Sequence, residues 1–275
     1  MKNYTVIAAC LVFLAMGSSL QAEPMHPQLT NKHTFILGAY HQDANAEVYA
    51  DVDADQVDRA KLDLGDLGMG ETDTSWMAEY RYRLNEKWLF SLGAYTFDTD
   101  GSLKAKKTFE YDGVEFEAGA QLDTSLKVDT YIADAMYKVY GSDRANLYVG
   151  GGIHVSKIST DIEAKIAVGD REVTGSRAND DLMAPLPNLR VQGFYALSSR
   201  WAVTGTLGWL SLNYEEYEGS FAYIHTRVTY RMTERFGVAL GYQYLDMDFS
   251  VDRDRGEAGV DINFNGPSMH LSYSF

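Results

Sequence analysis

The sequence has almost no cysteine, little proline and a shortage of positive charge. Its 275 residues include one cysteine, five prolines, and 24 lysines and arginines against 39 acidic residues, a formal net charge of -15. A phosphate-binding surface needs a basic patch, and no such patch is present, so the composition argues against nucleic acid as a partner. A mean hydropathy of -0.27 excludes a polytopic helical membrane protein but not a membrane barrel, whose strands alternate in polarity.

The first residues have the pattern of an export signal. Lys2 is followed by an apolar run over residues 6–16, then by Gly17, Ser18 and Ser19, and by a small residue at Ala22. Such a run is typical of a secretory signal peptide and is shorter than the 20 or so apolar residues of a transmembrane helix. We predict a signal peptide over residues 1–22, with an N-terminal lead over residues 23–32 after it.

The single cysteine, Cys10, lies inside the predicted signal peptide. The apolar run continues past it to Met16, whereas a bacterial lipoprotein box would end the run at the cysteine. The mature chain therefore has no thiol and no disulfide. An exported protein of this size without disulfides needs a large packed or closed structure to hold it together.

From residue 33 onward, apolar residues recur with a period of two, which is typical of strands. In the segment 236–244 every second residue is large and apolar or aromatic, and the residues between are glycine, alanine or glutamine. The segment 269–275 alternates in the same way. The pattern predicts ten strands, each with one apolar face and one small or polar face. They cover residues 33–42, 74–85, 87–99, 123–140, 145–161, 182–198, 201–217, 220–233, 236–250 and 259–275.

The connections between these segments alternate between short and long. Tight turns are predicted at residues 85–86, 141–144, 199–200 and 233–235, and long loops at residues 43–73, 100–122 and 162–181. Within the second loop, Asp112-Gly113 stands between two short strand-like runs and favours a hairpin. Short turns on one side and long loops on the other are typical of outer-membrane barrels.

Aromatic residues collect at the ends of the predicted strands, where the two interfacial girdles of a membrane barrel would lie. The two sets are Tyr82, Trp88, Tyr140, Tyr195, Trp201, Phe236 and Phe275 near the short turns, and Trp76, Tyr131, Trp209, Tyr244 and Phe264 near the long loops.

The end of the chain, Tyr273-Ser274-Phe275, resembles the terminal strand of Gram-negative outer-membrane β-barrel proteins, which end in Phe with apolar residues at alternate preceding positions. Here those positions are Met269, Leu271, Tyr273 and Phe275. The resemblance implies that these four residues form a C-terminal assembly signal read by the barrel-assembly machinery. Within that class the chain looks like the small, ten-stranded barrels that are porin-like or uncharacterised.

The resemblance also implies an architecture and a location. We expect an all-β, antiparallel, up-and-down transmembrane barrel of about ten strands over residues 33–275, with short periplasmic turns and long extracellular loops. The lead over residues 23–32 would lie in the periplasm. The expected surroundings are lipid and lipopolysaccharide of the cell outer membrane, and the expected state is a monomer.

If the apolar face meets lipid, the charged and polar residues of the opposite face point into the lumen. These residues are Glu79, Arg81, Arg83, Asp134, Lys138, Arg190, Gln192, His225, Arg227, Arg231, Gln243 and His270. Buried charges must be partnered, so the simpler interpretation is a lumen network of ion pairs and hydrogen bonds in a structural barrel. The other interpretation is a narrow porin-like channel that favours anions or selects small polar solutes.

An outer-membrane enzyme is the alternative class. Candidate groups for a rim protease stand near the loop-side strand ends: His41, Asp43, Asp98, Asp100, Asp246 and Asp248. Two His-Ser pairs, His154 with Ser156 and His270 with Ser272, faintly resemble those of lipid A deacylases. The sequence assigns no catalytic residue and no cofactor.

One acidic segment resembles a metal-binding loop. Asp51, Asp53 and Asp55 alternate like the first ligands of an EF-hand. Gln56 and Leu62 replace the glycine and the glutamate that such a loop needs. We therefore predict no metal site, and interpret this segment as a solvated acidic loop.

Overall fold

Ten long antiparallel strands close into one barrel. The structure is a computed structural model, and it describes residues 26–50, 62–63, 72–106, 108–111, 114–168, 171–214, 217–253 and 256–275. A short 3-10 helix, Pro27–Leu29, precedes the strands. The strands are β1 (His33–Ala50), β2 (Leu62–Asp63), β3 (Thr72–Arg83), β4 (Trp88–Lys104), β5 (Phe109–Tyr111), β6 (Val114–Phe116), β7 (Gln121–Gly141), β8 (Ala145–Val168), β9 (Arg171–Ala196), β10 (Trp201–Tyr214), β11 (Tyr217–Arg231), β12 (Phe236–Arg253) and β13 (Gly256–Ser274).

The barrel closes because the last strand pairs with the first. The long strands follow one another around the wall in chain order, and β13 pairs with β1 from Thr34 opposite Ser274 to Ala50 opposite Ala258. A closed sheet leaves no unpaired edge strand. The predicted fold class, an all-β antiparallel barrel of ten strands, is confirmed. No helix among the described residues is long and apolar enough to cross a membrane.

The four short turns lie at one end of the barrel, here named the turn end. The first residue of β1 and the last residue of β13 lie at the same end. Each turn begins with a polar side chain that accepts hydrogen bonds from the amides two and three residues ahead. In the first turn, Asn85 Oδ1 accepts from the amides of Lys87 and Trp88, both at 2.9 Å. Ser142, Ser198 and Thr233 do the same in the other turns. Side chains of this type favour turns by bonding their own backbone.

The opposite end, named the loop end, has longer strands than the sequence predicted. The predicted loop over residues 162–181 is wrong, because β8 continues to Val168 and pairs there with Arg171, the first residue of β9. A membrane-spanning strand needs about 9–11 residues, so the 24 residues of β8 and 26 of β9 extend far beyond any bilayer. The predicted hairpin around Asp112-Gly113 is confirmed by the pairing of β5 with β6.

The outer face of the half nearest the turn end, the turn half, is a continuous apolar band. All ten long strands contribute exposed hydrophobic side chains to it, such as Leu37, Leu92 and Leu240, the last 68% exposed. Aromatic residues border it: Trp201 and Trp209 on β10 are eight residues apart, and both are exposed. Eight residues rise about 26 Å along a strand, or about 20 Å for a tilt of 35–45°, close to the height of a lipid-facing band.

The polarity of the two faces inverts in the loop half, the part of the barrel nearest the loop end. On β12 the outward residues change from Leu240 and Tyr244 to Asp246 and Asp248, while Phe249 faces inward and is buried. Phe264 likewise faces inward and is 2% exposed. Its predicted place in the aromatic girdle is therefore wrong, because it lies beyond the point of inversion.

We expect Leu240→Arg to impair folding of the barrel into bilayers, because an arginine near mid-bilayer on the lipid face costs about 2–4 kcal/mol. The matched control is Asp246→Arg, on the same face of the same strand but outside the apolar band, where folding should be almost unchanged. Refolding yield into lipid vesicles measures both. Equal yields for the two variants would contradict the assignment of the band.

Candidate functional site

The candidate site is the barrel interior, which is filled at three successive levels. Nearest the turn end lies the N-terminal lead, in the middle lies a layer of paired charges, and in the loop half lies an apolar cluster. Each level is built from inward-facing strand positions, which alternate with the outward ones.

The described part of the lead, residues 26–32, enters the turn end of the barrel. Leu29 is buried in one cluster with Phe194, Ala196 and Ala202. Arg83 holds the lead by donating to the carbonyls of Gln28, at 3.1 Å, and of Asn31, at 3.2 Å. This described part of the lead is therefore packed inside the barrel, where it obstructs the turn end.

His26 anchors the start of this segment. Its ring packs on Phe194 with centroids 5.4 Å apart, and its Nδ1 accepts a hydrogen bond from the amide of Gln28 at 3.3 Å. The residue is only 3% exposed. Burial, with a smaller contribution from Arg231, lowers the pKa of His26 to about 4 from its ordinary 6.5.

The middle level, named the ionic layer, consists of Glu79, Arg81, Asp134, Arg190 and Arg227. Arg81 donates to both carboxylate oxygens of Glu79, at 2.6 and 2.9 Å. Arg190 forms an ion pair with Asp134, which also accepts from Ser91 at 3.1 Å. Hydrogen-bonded pairs of this kind are how charges are accommodated away from water.

A glycine on β8 makes the ion pair between Asp134 and Arg190 possible. Asp134 is on β7 and Arg190 on β9, with β8 between them. Asp134 stands opposite Gly152 on β8, and a Cβ at that position would collide with the aspartate side chain. The missing side chain therefore lets the carboxylate reach over β8 toward the guanidinium.

Two histidines share one serine beside the ionic layer. The Nε2 atoms of His225 and His270 lie 3.2 and 3.1 Å from Ser268 Oγ. Since a hydroxyl has a single hydrogen, it donates to one ring and accepts from the other. Gly38 leaves room for this arrangement, because a Cβ there would overlap the ring of His270.

The third level, named the apolar plug, fills the loop half. Phe97 packs on Phe264 with ring centroids 4.8 Å apart, and Phe116 of the β5–β6 hairpin is 1% exposed among them. The plug comprises Ala44, Phe97, Ala105, Phe116, Leu122, Leu126, Val128, Ile158, Ile162, Ala164, Leu186, Phe221, Met247, Phe249, Val260, Ile262 and Phe264.

The residues expected in the lumen are distributed over the two levels nearest the turn end. Glu79, Arg81, Asp134, Arg190 and Arg227 form the ionic layer, and His225 and Gln243 line the same cavity. His270 adjoins them through Ser268, whereas Arg83 binds the lead, with Gln192 on the wall nearby. Lys138 and Arg231 stand at half-buried positions near the turn end.

The four residues of the predicted assembly signal lie on the outer face. Met269, Leu271 and Phe275 are exposed, and Tyr273 packs on Phe236 with ring centroids 4.8 Å apart. Recognition of these four residues by the barrel-assembly machinery stays a prediction.

The rim protease candidates do not converge on a site. His41, Asp43, Asp98, Asp100, Asp246 and Asp248 all occupy exposed, outward positions on several strands. The two His-Ser pairs face the interior instead: His154 packs against Phe221, and Ser156 bonds Thr130 at 2.8 Å. The EF-hand-like segment Asp51–Asp55 lies outside the described residues, and among those described no cluster of His, Asp or Glu could hold a metal ion.

Sequence reasoning missed several interior residues. Gln42 Oε1 accepts hydrogen bonds from Tyr95 and, at 2.9 Å, from Ser75. Tyr40 and Tyr223 line the cavity of the ionic layer. The sequence signal of the plug is a change in which alternate positions are apolar. On β12 the apolar residues fall on even positions up to Tyr244 and then on odd positions from Leu245 to Phe249.

We expect Glu79→Gln to destabilise the barrel by about 3–5 kcal/mol, because it leaves Arg81 as a buried charge without its partner. The double variant Glu79→Gln/Arg81→Gln should recover much of that loss, since it removes both charges. Urea unfolding in detergent micelles measures the free energies. A double variant less stable than Glu79→Gln would contradict the pairing.

Acid should release the lead. With a pKa of about 4 when docked and 6.5 when free, His26 takes up its proton mainly in the undocked state, so its contribution to docking is fully present above pH 6.5 and is lost as the pH falls from 6.5 to 4. Hydrogen exchange at the amides of Leu29 to Asn31, corrected for intrinsic rates, should therefore speed up across this range. His26→Asn should remove the pH dependence, and an unchanged profile in that variant would refute the assignment.

No protein-family model and no curated protein matches the sequence. The barrel is similar to the solved structure of the outer membrane protease OmpT from Escherichia coli, with a TM-score of 0.55 and 11% identity over 90% of this chain and 98% of that chain. The toluene transporter TbuX of Ralstonia pickettii aligns with a TM-score of 0.39 and 10% identity over 92% of each chain. OprG of Pseudomonas aeruginosa aligns with a TM-score of 0.37 and 14% identity over 89% of this chain and 96% of that one. At such identities the first likeness concerns the fold alone: the chain has the fold of a Gram-negative outer-membrane β-barrel.

Proposed function

We propose that this protein is an integral outer-membrane barrel, closed to passive solute flow, that acts as a rigid structural support for an acidic surface outside the cell. The observation that carries the proposal is the apolar plug. Among the described residues, buried phenylalanine, leucine and isoleucine side chains fill the bore of the loop half, and an apolar constriction of this kind opposes the passage of hydrated ions.

The proposed location rests on the outer face. The apolar band encircles the turn half, and a band of this size exposed to water would be unfavourable. The turn end would then lie in the periplasm and the loop half outside the cell. The proposed surroundings are lipid and lipopolysaccharide, reached as a monomer through the barrel-assembly machinery after export on the signal peptide.

A narrow anion-preferring channel for small polar solutes is the second candidate. Among the described inward positions of the turn half, the charged residues are mostly cationic: Arg81, Arg83, Lys138, Arg190, Arg227 and Arg231 against Glu79 and Asp134. Conduction would require both the lead and the apolar plug to move. An enzyme is disfavoured, because the candidate carboxylates and histidine of a rim protease are dispersed over the outer face.

Conductance across a planar bilayer tests the proposal. The mature chain should give no discrete steps, and a variant lacking residues 23–32 should also be silent, because the apolar plug remains. Reconstitution must be verified in the same preparation by heat-modifiable migration on a gel.

Discrete conductance steps from the mature chain would contradict the proposal that the barrel is closed. If Arg227→Glu then reversed the ion preference of those steps, the channel candidate would replace it. Steps only in the variant without the lead would mean that the lead, and not the plug, closes the bore.

A further inference from the structure

The interior contains a cavity of about 80 Å³ where the ionic layer meets the apolar plug. Charged walls on one side include Glu79 and Arg227, and aromatic walls on the other include Phe221 and Phe264. The space holds a few water molecules or one small ion with part of its hydration, and it is too small for a sugar or a nucleotide.

The charges around this cavity do not cancel. Its described walls contain three guanidinium groups, on Arg81, Arg190 and Arg227, and two carboxylates, on Glu79 and Asp134. Arg81 and Arg190 each pair with one carboxylate. Arg227 remains as one positive charge, with only 6% of its surface exposed. Glu79 also attracts Arg227, but two carboxylates cannot neutralise three guanidinium groups, and an excess charge so far from water is unfavourable unless something compensates it.

Three donors on the cavity wall also lack an acceptor. Within the described residues, neither the Arg227 guanidinium nor the hydroxyls of Tyr40 and Tyr223 form a hydrogen bond to protein. Both tyrosines interact electrostatically with Arg227, so the three groups face the same space. Gly241 gives Arg227 its position, because a Cβ there would lie 2.9 Å from the arginine Cγ.

We propose that this cavity binds a small monovalent anion of the chloride type. One negative charge neutralises Arg227, and an anion accepts hydrogen bonds from the guanidinium and both hydroxyls at once. The apolar wall keeps bulk water away, which strengthens each of these interactions. A divalent anion would exceed the single unpaired positive charge. The site depends on the interior geometry alone and stands whether or not the barrel conducts.

Bromide is a suitable probe, because it replaces chloride and gives an anomalous X-ray signal. The refolded mature chain, crystallised from detergent with sodium bromide, should show an anomalous peak within hydrogen-bond distance of Arg227. In solution, the midpoint of thermal unfolding should rise with bromide concentration and saturate, relative to gluconate at equal ionic strength, as expected for a ligand bound by the folded state.

Arg227→Gln should abolish the peak and the saturable rise, whereas the control Arg231→Gln, outside the cavity wall, should keep both. If Arg227→Gln does not refold, Tyr223→Phe and Tyr40→Phe decide, each weakening bromide affinity by roughly tenfold through the loss of one donor to a charged acceptor. Water alone beside Arg227 in the crystals grown with bromide, or unchanged affinity in both tyrosine variants, would overturn the proposal.

Discussion

Matching each face of a strand to what surrounds it is the constraint on which the whole barrel depends. Successive side chains point to opposite faces, so one strand always meets two environments. In the turn half, lipid outside requires apolar residues such as Leu240 to face outward, which leaves polar groups inside. In the loop half, water outside requires Asp246 and Asp248 outward, which leaves Phe249 inside. A single continuous β12 therefore serves both halves without a break in pairing.

The charged interior follows from the same constraint. Interior volume in the turn half must be filled by side chains, and burying them costs free energy unless their polar groups are bonded. Long cationic residues fill this space, while glycines such as Gly38, Gly152 and Gly241 make room for the groups of neighbouring strands. The bonded pairs Arg81–Glu79 and Arg190–Asp134 then fix the wall from within. One packing arrangement therefore both fills the interior of the turn half and pairs its charges.

The sequence predicts much of this fold and less of its interior. Alternation identifies all ten strands, and Asn85, Ser142, Ser198 and Thr233 each begin a turn by bonding the backbone ahead. Phe264 is misplaced by the sequence because it is assigned to the girdle as an aromatic residue, although its even position puts it on the inward face of β13. The rim candidates follow from their position near strand ends, which does not say on which face their side chains lie. The pairing of Asp134 with Arg190 could not be predicted, since it depends on register across β8 and on the missing side chain of Gly152.

The proposed closure of the interior would confine contacts with other molecules to the outer surface of the loop half. That surface begins directly beyond the aromatic residues nearest the loop end. Asp246 follows Tyr244 by two positions and accepts a hydrogen bond from its hydroxyl at 3.3 Å, and Asp129 precedes Tyr131 by two positions. In a bilayer around the apolar band, a shift of the barrel by one residue pair toward its turn end would carry these carboxylates into hydrocarbon, whereas the opposite shift would expose leucines to water. The sharp boundary between aromatic and acidic residues therefore fixes the height of the barrel in the bilayer, and with it the height at which the acidic surface is displayed.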